Sequence, residues 1–276
     1  MEKLQEALQK ARARRSGGPV SSPNLANPAQ SPAPRATSVD QAWAALDPLT
    51  PNRDTLIKNR IVAYDAGADA THFDILRTKV LLQMRKNGWK RLAITSPTSA
   101  CGKTTTACNL AVGLSRQPDM RTMLLELDLR RPNVANLVGQ KPQRDITSML
   151  TGQISFADQA IRVRDNVAIS MARRASTDPT KYLLSQQTED TLRQIEQTYK
   201  PDIMIFDLPP LLLSDDTRAF LNNVDCALMV ARAERSSINQ IDTCEREIAE
   251  HTNMLGVVLN QCRHVDDAQG YGYEAY

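Results

Sequence analysis

The sequence predicts an α/β fold, a doubly wound and mostly parallel sheet with helices on both faces. Three observations lead there. From residue 90 onward short apolar runs alternate with longer helical patterns, the order that builds a layered sheet. Several runs are continuously apolar, as strands covered on both faces must be. Acidic residues and a glycine-containing loop fall at the C-terminal ends of these runs, the edge where such sheets bind ligands. The candidate strands are Arg91–Thr95, Thr122–Leu127, Val167–Met171, Ile203–Asp207, Cys226–Ala231 and Gly256–Asn260, and the helical patterns between them are Thr104–Arg116, Thr180–Tyr199 and Ser236–Glu250. A further helix is expected over 69–87, where Phe73, Leu76, Val80, Leu81 and Met84 make one apolar stripe before a stop at Gly88.

The N-terminal third reads differently. Residues 1–15 have helical periodicity with Leu4, Ala7, Leu8 and Ala11 on one face, either a short solvated helix or a docking helix. Residues 16–40 are rich in Pro, Ser, Ala and Asn and have no apolar period; such a composition buries too little to offset ordering entropy, so a flexible linker is expected. Residues 41–70, around Trp43 and Leu46, are expected to be a loosely packed lead-in, residues 71–265 the main domain, and residues 266–276 a flexible tail.

Composition narrows the function classes. The 276 residues carry a net charge of +3, with scattered basic residues rather than the single stripe of a nucleic-acid binder. No run approaches the roughly 20 apolar residues of a bilayer span, and the first residues lack the apolar core of a secretory signal. Five cysteines without a Cys-x-x-Cys pair suggest reduced thiols. A cytoplasmic protein is expected, reaching a membrane only through a partner or a surface helix.

The chemistry concentrates after the first strand. Arg91–Thr95 runs into Ser96-Pro97-Thr98-Ser99-Ala100-Cys101-Gly102-Lys103-Thr104-Thr105 and then into a helix. Strand, small-residue loop, Gly-Lys-Thr and helix together make a phosphate-binding P-loop. Loop amides from Ser99 to Thr105 would wrap phosphate oxygens, assisted by the positive helix end. Lys103 would reach the β- and γ-phosphates, and the Thr104 hydroxyl would join a Mg²⁺ shell. ATP with Mg²⁺ is therefore the expected cofactor pair. Pro97 stands where the general pattern has its first glycine. Two acidic strand ends support the reading. Glu126 and Asp128 alternate at the end of Met123–Asp128, and Asp207 closes Ile203–Asp207. Carboxylates beside phosphates suit a hard cation. Lys103, Glu126, Asp128 and Asp207 are the candidate catalytic residues, with Thr104, Asp128 and Asp207 as metal ligands.

These residues resemble the bacterial tyrosine kinase family of capsule and exopolysaccharide synthesis, P-loop ATPases related to the MinD/ParA group. The resemblance covers roughly residues 71–276. Thr95–Thr105 resembles its Walker A motif, Leu124–Pro132 its second acidic motif, Ile205–Pro210 its Walker B, and Leu255–Asn260 a strand whose final asparagine contacts adenine. The end, Tyr271-Gly272-Tyr273-Glu274-Ala275-Tyr276, resembles its cluster of phosphoacceptor tyrosines. The resemblance implies a tyrosine autokinase modifying Tyr271, Tyr273 and Tyr276, a membrane-embedded polysaccharide co-polymerase as activator, a cognate tyrosine phosphatase and a homo-oligomer. Glu126 stands where the family has aspartate. Of the family's assembly motif, falling on Thr71, Asp74 and Arg77, only Arg77 matches. Thr98 replaces the signature lysine of the MinD and ParA ATPases, which argues against that subgroup. A regulatory ATPase switch of that kind, or a nucleotide-binding adaptor of a polysaccharide exporter without kinase activity, stays as the alternative. Cys101 is read as a small side chain tolerated beside Gly102, and Asp215-Asp216 as caps of a helix near Thr217.

Overall fold

The computed structural model describes residues 37–263. The expected N-terminal helix, nearly all of the Pro/Ser-rich stretch and the tail with Tyr271, Tyr273 and Tyr276 lie outside those residues. Eight strands form one sheet: β1 (Asp47–Leu49), β2 (Arg91–Thr95), β3 (Thr122–Glu126), β4 (Ile161–Val163), β5 (Val167–Ser170), β6 (Ile203–Asp207), β7 (Cys226–Arg232) and β8 (Asn253–Asn260). Their order is β1-β4-β5-β3-β6-β2-β7-β8. Every neighbouring pair is parallel except β4 with β5. The α/β, mostly parallel architecture expected from the sequence is the one observed.

Strand periodicity divides the core in two. Leu92, Ile94, Leu124, Ile203, Ile205, Leu228 and Val230 belong to one buried cluster, while Ala93, Met123, Leu125, Met204, Phe206, Ala227 and Met229 belong to the other. Alternate residues of a strand point to opposite faces, so these clusters are the two sides of the sheet. Four helices longer than ten residues cover them: α1 (Thr71–Asn87), α2 (Lys103–Leu114), α3 (Gln186–Tyr199) and α4 (Ile238–Ala249). Helices α1 and α2 supply Val80, Leu81, Met84, Ala107, Leu110 and Leu114 to the first cluster. Helices α3 and α4 supply Leu192, Ile195, Tyr199, Cys244 and Ile248 to the second. No described helix is long and apolar enough to cross a membrane.

Helix α1 ends where the sequence placed its stop, with Gly88 left-handed at φ 70° and the Trp89 amide donating back to the Met84 carbonyl. The expected helix over 180–199 is two helices. Ser185, in extended conformation, accepts from the Gln187 amide and starts α3 anew after the short helix Thr180–Leu183. A serine that caps costs the preceding helix its continuity.

The largest departure lies in residues 41–70, which are anchored in the core at spaced positions rather than loosely packed. A short helix, Ser38–Ala44, starts inside the stretch read as linker, capped reciprocally by Thr37 and Asp40. It carries Trp43, only 3% exposed, whose indole N–H donates to the Tyr199 carbonyl at 2.8 Å and whose ring meets Tyr199 edge-on. Next, β1 pairs with β4 through Asp47↔Ile161 to Leu49↔Val163. Asn109, buried in α2, then fastens the following turn: its carbonyl accepts from the Val62 and Ala63 amides, and its amide donates to the Arg60 carbonyl. Leu56, Ile61 and Ala63 are buried beside it. Truncating Trp43→Ala should therefore cost about 3–5 kcal/mol, read as a lowered urea midpoint; a loss below about 1 kcal/mol would show that this segment does not belong to the cooperative core.

Candidate nucleotide site

The site lies at the C-terminal edge of the central strands. β2 sits between β6 and β7, so the loop after β2 emerges beside the end of β6. The two segments are tied together. Thr95 Oγ1 donates to the Pro209 carbonyl at 2.7 Å, and the Leu208 and Leu211 amides donate to the carbonyls of Ile94 and Ser96. Ala100 and Gly102 are both left-handed, at φ 63° and 91°, a tight alternation that turns successive amides inward. Gly102 is constrained a second time, because an added Cβ would collide with the Asn260 side-chain amide.

That collision reflects a clamp from β8. Asn260 Nδ2 donates to the Cys101 carbonyl at 2.9 Å, and Gln261 Nε2 donates to the Ala100 carbonyl at 3.2 Å. Asn260, expected against adenine, is thus engaged with the loop backbone. Cys101 is buried, its sulfur within 3.6–3.9 Å of Thr98 Oγ1, Ser236 Oγ and the Ser99 carbonyl.

Behind the loop lies a buried charge cluster. Lys103 Nζ donates to Asp128 Oδ2 at 2.6 Å and to Thr104 Oγ1 at 3.2 Å, and stands 3.6 Å from Asp207 Oδ1. Burial disfavours the lysine's charge, but Asp207 and Asp128 more than reverse this and hold its pKa above the ordinary value. Burial raises the pKa of Asp207 against the opposing pull of Lys103. Neither Asp207 oxygen has a hydrogen-bond partner among the described residues. A fully buried carboxylate without a donor is costly, and its surplus negative charge suits a cation. The donor set of Thr104, Asp128 and Asp207 is all oxygen, the type that Mg²⁺ takes when phosphates and waters complete the shell. No three His, Cys, Asp or Glu side chains among the described residues form a closed metal cage.

The cluster opens into a cavity of about 690 Å³, lined by Ser99, Ala100, Gly102, Lys103, Thr104, Thr105 and Asp128 on one side and by Arg131, Pro132, Pro209 and Leu213 among others. That volume is ample for a nucleotide. Of the expected site residues that the structure describes, Glu126, Asp207, Cys101 and Asn260 do not line it.

Glu126 requires a correction. Alternation along β3 suggested that it shares the direction and role of Asp128. Instead Oε1 accepts from the Asn133 and Val134 amides, at 2.7 Å for Val134, and Oε2 accepts from the Ala172 amide at 2.9 Å. It is fully buried and fastens two loops. Asp216 differs from expectation too. It opens the helix Asp216–Leu221, which has no side-chain cap bond at Asp215. Its buried carboxylate accepts from Arg130 Nε at 2.5 Å and Nη2 at 3.1 Å and from Thr180 Oγ1 at 2.6 Å, while the Asp216 backbone amide donates to Ser214 Oγ at 3.0 Å. Burial alone would raise the Asp216 pKa, but hydrogen bonds from Arg130, Ser214 and Thr180 keep it below the ordinary value. Sequence reasoning missed this bidentate pair, whose partners are 86 positions apart. Arg77, the one match to the assembly motif, bonds within the chain to Asp74 and to the Gly113 carbonyl at 3.0 Å.

With this geometry in hand, comparison with known proteins is decisive at the level of family. Residues 92–271 match the CobQ/CobB/MinD/ParA nucleotide binding domain, and the chain belongs to that family. The chain is 26% identical over 204 residues to the tyrosine-protein kinase wzc of Salmonella typhi, covering 73% of this chain but 28% of that protein. It is 24% identical over 230 residues to the tyrosine-protein kinase YwqD of Bacillus subtilis, covering 82% of this chain and 95% of that one. The chain thus spans less than a third of the length of the wzc-type relative. Among solved structures, the kinase domain of the Escherichia coli tyrosine kinase ETK superposes with a TM-score of 0.66 at 21% identity, over 77% of this chain and 84% of that one. This last likeness concerns the fold.

Glu126 also makes stability depend on pH. Burial and the charge of Asp207 outweigh its three amide hydrogen bonds and push it from 4.5 up to about 7. The folded chain then holds this proton more tightly than the unfolded chain, so the contribution falls as pH rises from about 4.5 through 7. Asp207 acts with the same sign. Urea unfolding between pH 5 and 8 should show stability declining across that window. Glu126→Gln should be less stable throughout yet show a flatter slope; an unchanged slope would place the titration elsewhere.

Proposed function

We propose that this chain is a Mg²⁺- and ATP-dependent protein-tyrosine kinase that modifies Tyr271, Tyr273 and Tyr276, in the service of capsule or exopolysaccharide synthesis and export. The observation that carries the reading is the P-loop backed by Lys103, Asp128 and Asp207, the last paired in charge with Lys103 but accepting no hydrogen bond. Similarity to tyrosine-protein kinases over most of this chain supports it, including one of nearly the same extent.

The chemistry asked of the protein is mainly positioning and charge neutralisation. Amides of Ser99 to Thr105 would bind the phosphates, and Lys103 would exchange carboxylate oxygens for phosphate oxygens. Thr104, Asp128 and Asp207 would hold Mg²⁺, which would supply charge neutralisation when bound. The tyrosine oxygen forms a bond to the γ-phosphorus as the bond to the ADP oxygen breaks, and the phenolic proton passes to a carboxylate, for which Asp128 is the cavity-lining candidate. Asn260 is read as serving the adenine side of the site through its hold on the loop. Glu126 positions this machinery without touching phosphate.

The functional domain is read as running from about Ser38 to residue 265, ahead of the tail at 266–276. A membrane-embedded co-polymerase as activator, a cognate phosphatase and recruitment to the inner face of the plasma membrane complete the proposal. A nucleotide switch that transfers nothing to protein is the rival. Thr98, where the MinD and ParA ATPases carry a lysine, speaks against it, since its hydroxyl faces Cys101 within the loop.

Intact-mass measurement of the full chain, incubated with Mg²⁺-ATP and its activator fragment, should find phosphate on residues 271–276, removable by a tyrosine phosphatase. Lys103→Met should abolish the label. Nucleotide binding without any phosphotyrosine would favour the switch.

A further inference from the structure

A second cleft, of about 440 Å³, has a lining that includes Arg144, Asp145, Ser148, Arg173 and Arg174. Two loops link this cleft to the nucleotide cavity. One carries Arg130 and Arg131 and lines the nucleotide cavity; the other, after β5, carries Arg173 and Arg174. Glu126 joins them by accepting from Asn133 and Val134 on one oxygen and Ala172 on the other. The Ser176 amide adds a bond to the Leu129 carbonyl at 2.7 Å. Asp145 fixes the second loop from below, its Oδ2 accepting from the Arg173 and Arg174 amides at 3.1 and 3.2 Å. Its Oδ1 caps the helix Ile146–Leu150 through Thr147. The one carboxylate in the cleft is thus taken up by backbone.

The arginines themselves divide into two groups. Arg130 is paired with Asp216, and Arg144 with Asp158 at 2.9 Å. Arg173 reaches only the neutral Gln143 carbonyl. Arg131, Arg173 and Arg174 are exposed and have no ion-pair partner among the described residues. Three guanidinium groups without an ion-pair partner, one lining the nucleotide cavity and two on a loop fastened to it through Glu126, suit carboxylates. The segment 264–276, HVDDAQGYGYEAY, carries Asp266, Asp267 and Glu274 around its tyrosines against the single His264.

We propose that Arg131, Arg173 and Arg174 are specificity-determining residues that select tyrosines flanked by carboxylates, the occupant being segment 264–276 of a second copy of the chain. The proposal rests on the kinase reading for its purpose but not for its test, which reads binding directly.

The receptor is the full chain with its own tail neutralised (Asp266→Asn, Asp267→Asn, Glu274→Gln), so that it does not compete. The probe is a fluorescein-labelled peptide of residues 264–276, followed by anisotropy with Mg²⁺ and a non-hydrolysable ATP analogue. Binding should weaken with salt. It should fall about tenfold when the peptide's three carboxylates are neutralised, and fall by a similar factor in Arg173→Gln/Arg174→Gln with analogue affinity unchanged. Equal binding of acidic and neutral peptides, or undiminished binding by the double variant, overturns the proposal. Selective binding without phosphate transfer from ATP would instead overturn the kinase reading and leave the arginines' selectivity standing.

Discussion

The buried lysine of the P-loop is the constraint around which the rest of the site is arranged. Lys103 is largely withdrawn from water, and a lone ammonium there would be untenable. Asp128 and Asp207 make it tenable, and they arrive from two different strands that flank one another in the sheet. The strand order that sets β3, β6 and β2 side by side is therefore also what lets the loop keep its lysine. The compensation is unequal, since Asp128 is bonded closely and Asp207 is left without a donor. Phosphate and cation entering together would balance that inequality, each meeting a charge already in place.

Around this centre the chain uses carboxylates in three distinct ways. Asp128 faces the cavity and Asp207 sits behind it, both tied electrostatically to the lysine. Glu126 and Asp216 lie a few residues from these motifs but are saturated by amides, hydroxyls and Arg130. The longer arm of Glu126 explains its different use: one more methylene carries the carboxylate past the strand end into the amides of two loops. What reads as a substitution within a metal-binding motif is, in three dimensions, a brace between two loops.

Much of this was legible in the sequence, and the divide has a physical basis. The P-loop, the acidic strand ends and the central strands announce themselves through local pattern, because a Gly-Lys-Thr after an apolar run and before a helix admits few structures. The segments that were misread depend on distant partners. β1 and β4 are three residues each, too short for any period, and exist because they pair with one another. Trp43 gains its place from a distant partner, Tyr199, which supplies a carbonyl and a ring. Asn109 has the look of an ordinary helical residue, and only the turn at 60–63 reveals why it is buried. The pairing of Arg130 with Asp216 likewise leaves no local trace.

The position of β2 has a consequence for how the chain is made. This strand carries the P-loop, yet its hydrogen-bonding neighbours are β6 and β7, more than a hundred residues later in the chain. At translation rates of 5–20 residues per second, β2 would wait on the order of ten seconds for its first neighbour. Throughout that interval an apolar strand stands with both edges unpaired, the state most prone to association with other chains. Helix α1, already made, and α2, emerging next, supply apolar cover for one of its faces. The P-loop is thus made well before the strands that flank it, and a nascent chain halted before residue 203 would hold the whole Gly-Lys-Thr motif with neither of β2's neighbours beside it.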